Sequence, residues 1–163
     1  MEPEDDHCRI QELRVDNDLI TSSFLRALGL LVAFQFYTTS KQLKPLIGAH
    51  GIEPVGHLIA AFRRDHGLLI GFLKLPTIFW VSSADWFIRL VPTIGTLLAL
   101  AFAFGTTGEY QWLAVLVLWF LWLSILNAAP NFFYFPWDLM LLETLLLAIF
   151  APSLSLFPNA TTT

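Results

Sequence analysis

From residue 90 to Thr163 the chain has no lysine or arginine. With no cations to neutralise a run of phosphates, that half offers no nucleic-acid surface. Cysteine is nearly missing as well: Cys8 stands alone, which excludes an intrachain disulfide and a cysteine-built metal cage. Charge is scarce overall, at 13% Asp, Glu, Lys and Arg against about 25% in an ordinary soluble domain. The N-terminal EPEDDHCRIQELRVDND lacks the basic start, short apolar core and small-residue cleavage site of a secretory signal, so the first apolar segment is expected to be an uncleaved anchor.

What is present is apolar. Hydrophobic residues make up 56% of the chain and its mean hydropathy is +0.64, which indicates an all-α membrane protein. Crossing a core of about 30 Å takes about 20 largely apolar residues at ~1.5 Å each. Four spans are predicted, at about 24–40, 85–104, 111–128 and 138–157, within a transmembrane domain of 24–157. An acidic tail of 1–23 precedes them and a polar tail of 158–163 follows. Thr21, Ser22 and Ser23 are candidate N-caps for the first span, and Pro152 should kink or end the last. Asn159-Ala160-Thr161 fits a glycosylation acceptor, a weak three-residue pattern.

GTTGEY and APNFFYFP are short links, which favours antiparallel neighbours. The remaining connection, 41–84, is too apolar for a plain soluble loop and too broken by Gly and Pro for another span. An interfacial or re-entrant segment suits it, with Trp80 and Trp86 at the headgroup level. Gly67 and Gly71 have GxxxG spacing, but in so short a segment an ordinary pair of loop glycines is the better reading. Lys41, Lys44, Arg63, Arg64 and Lys74 all fall in this stretch, and the positive-inside rule then puts it in the cytosol.

Four pieces, FLRALGLLVAFQF, QLKPLIGAHGIEP, PTIFWVSSAD and FFYFPWDLMLLETLLLAIFAP, carry a family likeness. Over about Leu25 to Pro152 the chain resembles the membrane portion of the lipase maturation factor family. The last piece is the most specific, with Trp137, Asp138, Leu142, Glu143 and Thr144 matching the family motif in place. Leu145 and Leu146 depart from it, standing where the family has Gly-Phe, and the lost glycine should widen the local helix contact surface. The resemblance implies a multi-pass endoplasmic reticulum membrane protein that helps secreted lipases fold and assemble. It also implies a cytosolic N-terminus with the first loop in the lumen, opposite to the charge count. The family also implies a fifth span and a large soluble lipase-engaging domain, from which this sequence, stopping at Thr163, is expected to depart. The alternatives are a truncated member acting as a subunit of a membrane complex, and a membrane enzyme or ligand binder.

Four antiparallel spans put the end of the first, the start of the second, the end of the third and the start of the fourth on one side. Asp85, Arg89, Asn127, Asp138 and Glu143 then fall in one layer, a candidate intramembrane polar network. Arg89 and Glu143 sit roughly 6 to 8 Å below their helix starts and are expected to pair, with Asp85 sharing Arg89 at i, i+4. Asp138 is expected to N-cap the fourth helix. Asp138 and Glu143 lie roughly 140° apart around a helix, which argues against a catalytic carboxylate pair. His50, His57 and His66 lack metal-ligand spacing, and Ser82 and Ser83 lack a nucleophile elbow. No catalytic, cofactor or metal residue is therefore assigned. Expected partners are membrane lipid and a lipase client or other membrane subunits. Trp112, Trp119 and Trp122 are read as packing and interface anchors.

Overall fold

The computed structural model describes residues 3–107 and 110–150, with side chains from Leu19 onward. The described residues form helices and connecting turns with no strand. In chain order these are α1 (Pro3–Ile47), α2 (Val55–Lys74), a 3₁₀ turn (Ile78–Trp80), α3 (Asp85–Ala103), α4 (Gln111–Ala128), α5 (Pro130–Phe133) and α6 (Pro136–Ile149). Three of them are long and apolar enough to cross a membrane: the Leu19–Ile47 part of α1, α3 and α4. The second and third predicted spans coincide with α3 and α4 to within a residue. α6 carries the first part of the fourth. Pro152, the rest of that span and the Asn159 acceptor lie outside the described residues.

The first span differs from expectation at both ends, because α1 starts far upstream and continues to Ile47. Ser22 is therefore no cap; its hydroxyl donates back to the Leu19 carbonyl, as a serine inside a helix does. Residues 41–47, expected in the loop, complete α1, and Lys41 and Lys44 lie in its last turns. The rest of the loop is mostly helical. α2 breaks at Gly67, whose φ of 73° suits glycine, while Gly71 lies under the Trp80 indole, where an added Cβ would come within 2.9 Å of the ring. The two glycines thus do different jobs, and neither marks a helix pair. Leu68, Leu69, Ile70 and Leu73 beyond the break are exposed, as an interfacial segment requires.

α3 runs antiparallel along α1 in a register fixed by three contacts. Gly29 meets Ala103, Gly95 faces Phe36, and Lys44 pairs with Asp85. Small residues let the two backbones approach, which matters in lipid, where van der Waals packing replaces the hydrophobic drive between helices. α3 ends in a Schellman motif: Gly105, at φ 71°, donates to Phe102 O and Thr106 N–H to Ala101 O, both at 3.0 Å. The short link to α4 follows from that turn.

α4 packs against both α3 and α6. Its Trp122 is wholly buried and meets the Phe36 ring of α1 edge-on at 5.5 Å and that of Phe133 in α5 at 6.4 Å. The indole N–H donates to the Asp138 carbonyl of α6 at 3.2 Å. Leu145, at the family's glycine position, is fully buried in this core, whereas Leu146 is exposed. The extra side chain has become core packing.

The α1 and α3 packing is tight enough to test. A Cβ at residue 95 would lie 2.5 Å from the Phe36 ring. Gly95→Ala should cost about 1–3 kcal/mol through overpacking, read as thermal unfolding in detergent micelles. Combining it with Phe36→Leu should recover part of the loss.

Candidate functional site

Among the described residues the loop-side ends of the helices gather most of the buried polar contacts, and the segment Leu75–Trp80 is their centre. Pro76 and the buried Thr77 break the helical run after α2, leaving backbone groups that need partners away from water. α4 supplies them. The Asn127 amide donates to Pro76 O at 2.9 Å, and Thr77 Oγ1 donates to Ser124 O at 2.9 Å. The Ile78 N–H donates to Ser124 Oγ at 3.1 Å, and that hydroxyl donates on to Phe120 O at 2.7 Å. Trp80 Nε1 closes the segment by donating to Leu75 O at 2.9 Å. Trp80 is thus a staple within the protein, while Trp86 is the exposed member of the expected pair.

A second tie joins the loop to α1 and α3. Asp85, first in α3, accepts from Ala49 N–H at 2.9 Å through one oxygen and pairs with Lys44 Nζ at 3.1 Å through the other. Farther out, Asn131 Nδ2 donates to Glu53 Oε2 at 2.8 Å. Lys74 Nζ lies 2.7 Å from His66 Nε2.

The five residues expected to form one network are thus divided among separate contacts. Asp85 is held by Lys44 rather than shared with Arg89, and Lys44–Asp85 is the one ion pair among the described residues. Arg89 faces a cavity of about 340 Å³ with Ser40, Lys41, Lys44, Pro45 and Thr93, on the outer side of the α1 and α3 pair. Glu143 is exposed on α6. The expected Arg89–Glu143 pair does not form, because α3 and α6 each pack on α4 rather than on one another. Asn127 binds the loop backbone. Asp138 is not the N-cap: Phe135 occupies that position, and Asp138 sits buried in the first turn, where a carboxylate still complements the helix dipole.

The other motif residues also divide. Trp137 stacks on Phe135 at 4.9 Å with both rings exposed, Leu142 packs against the core, and Thr144 Oγ1 donates to Met140 O at 2.7 Å. Trp137, Asp138 and Thr144 line an open apolar groove of about 450 Å³ between α6 and α1, faced by Phe24, Leu28 and Gln35. Among the described residues no three His, Cys, Asp or Glu side chains gather as metal ligands. The contacts that sequence reasoning missed are Pro76, Thr77 and Ser124. Their signal was Ser124 and Asn127 at i, i+3 in an otherwise apolar helix, opposite the PTIFW piece.

Residues 19–163 match the family model described as lipase maturation factor transmembrane domain. The chain belongs to the lipase maturation factor family. It is 29% identical over 140 residues to "Lipase maturation factor 2" of Xenopus laevis, covering 82% of this chain and 19% of that protein. Against "Lipase maturation factor 1" of Bos taurus the identity is 30% over 148 residues, or 85% of this chain and 26% of the relative. The human "Lipase maturation factor 1" is 31% identical over 134 residues, which is 77% of this chain and 23% of the relative. The chain therefore matches only about a fifth to a quarter of the length of these lipase maturation factors. No solved structure matches it. Family membership and the three membrane-length helices make it a multi-pass membrane protein.

The two ties differ in burial, and so in expected cost. Ser124→Ala leaves the Ile78 N–H without its acceptor and should cost about 1–3 kcal/mol, with faster hydrogen exchange at Ile78. Asp85→Asn, at a half-exposed and solvent-screened pair, should cost less and leave exchange at Ile78 unchanged.

Proposed function

We propose that this chain is an endoplasmic reticulum membrane protein that assists the folding or assembly of secreted lipases. What supports this most is family membership across residues 19–163, together with relatives that carry the name lipase maturation factor. The chain works through protein contacts rather than covalent chemistry. In keeping with that role, Asn127 and Asp85 are spent on holding the loop against the helices instead of converging on one reacting centre. The loop between α1 and α3 faces the lumen, where a secreted client folds, and the helical unit sets its shape.

The client is a secreted lipase, and the exposed aromatic pair Phe135 and Trp137 beside the family motif is available for protein contact. The test is removal of the protein from its native cells. Secreted lipase activity should fall while lipase transcript stays constant, and affinity capture from native membranes should recover the lipase. Unchanged secretion, with capture of other membrane subunits alone, would replace this role with that of a structural subunit.

A further inference from the structure

Arg89, left without the acid expected for it, faces Lys41 and Lys44 across the cavity of about 340 Å³ that also touches Ser40, Pro45 and Thr93. Three cations share this place with a single acid. Asp85 has one oxygen on Lys44 and the other on the Ala49 amide, so it adds nothing to Arg89 or Lys41. Lys41 Nζ lies 5.1 Å from the centre of the Tyr37 ring, and among the described residues neither Lys41 nor Arg89 makes an ion pair. The local balance is two uncompensated positive charges.

Helix direction makes these groups converge. Side chains lean toward the N-terminus of their helix. α3 begins on the loop side, so Arg89 leans outward toward the headgroups, whereas α1 ends there, so Lys41 and Lys44 lean inward. The Ser40 and Thr93 hydroxyls already donate to Tyr37 O and Arg89 O, which leaves the cations as donors. α3 has 19 residues, close to the thickness of a hydrocarbon core at ~1.5 Å per residue, so its first turns lie at the membrane boundary.

An exposed apolar stripe runs from the cavity into the membrane. On α1 the face of Lys41 continues through Tyr37, Phe34 and Leu30, and on α3 that of Arg89 and Thr93 continues to Leu97; these large apolar side chains are exposed. A charged head over two apolar tails fits this surface, and a free anion would leave the stripe unused. The geometry points to a binding site for the phosphate of an anionic phospholipid, held by Arg89, Lys41 and Lys44 with its acyl chains along α1 and α3. A zwitterionic headgroup fits less well, because its own cation meets the two uncompensated ones of Lys41 and Arg89. An arginine fork suits phosphate oxygens, and the lysines act as point charges.

The experiment is native mass spectrometry of the full chain in mixed micelles containing phosphatidylglycerol and phosphatidylcholine in equal amounts. The wild type should retain one phosphatidylglycerol in preference to phosphatidylcholine. K41Q/R89Q should weaken that retention about tenfold or more. R63Q/R64Q, which removes the same charge from α2, should leave it within about twofold. Lys41→Gln alone changes an exposed residue on which the fold does not rest, and it should show a partial, several-fold loss. Equal retention of both lipids, equal loss in the two double variants, or full retention by Lys41→Gln would overturn the site. Displacement of phosphatidylglycerol by excess inorganic phosphate would overturn the lipid as its occupant.

Discussion

Trp122 holds the helical unit together. Its ring touches Phe36 of α1 and Phe133 of α5, and its one polar atom is satisfied by the Asp138 carbonyl of α6. In water such a side chain would be drawn inside by its apolar area. In lipid that drive is lost, and geometry takes over: edge-on ring contacts and a hydrogen bond that cannot be made to water. With no side-chain charge to bury, α4 can be enclosed by α3, α5 and α6, while α1 takes its place chiefly along α3.

The second constraint is that no backbone polar group can be left bare in a membrane. It explains why the loop between α1 and α3 does not simply float. Where Pro76 and Thr77 interrupt the helical run, α4 offers Ser124 and Asn127, and between them these satisfy one carbonyl and one amide and anchor one hydroxyl. Lys44, Asp85 and Ala49 do similar work at the surface, where water shares the load. The polar character of this layer is thereby explained by architecture.

Much of the fold was legible because apolar length and uncharged runs are local properties. α3 and α4 lie where their composition put them, and the Gly105 turn ends α3 as a glycine after a helix should. The boundaries of α1 were less legible, since Lys41 reads as a span end although a charged residue can continue a helix beyond the membrane. Within the loop, interruption by Gly67 and Pro76 was visible, but the helix between Val55 and Lys74 was not. Leu145 departs from the family's pattern, and its burial gives that departure a physical role in packing.

The sequence alone determined that the chain is a helical membrane protein, which residues can cross, and which ends share a side. It also carried the family through a run of motif residues around Trp137 and Glu143. The tertiary structure decided who meets whom. Knowing that Arg89 and Glu143 lie at similar depths does not say which helices are neighbours, and α4 packs with both α3 and α6 while those two do not pair. Depth follows from counting along one helix, whereas neighbourhood depends on rotations and packing of several helices at once. Arg89 therefore lines a cavity with Lys41 and Lys44 of α1, an arrangement that no single segment could have fixed.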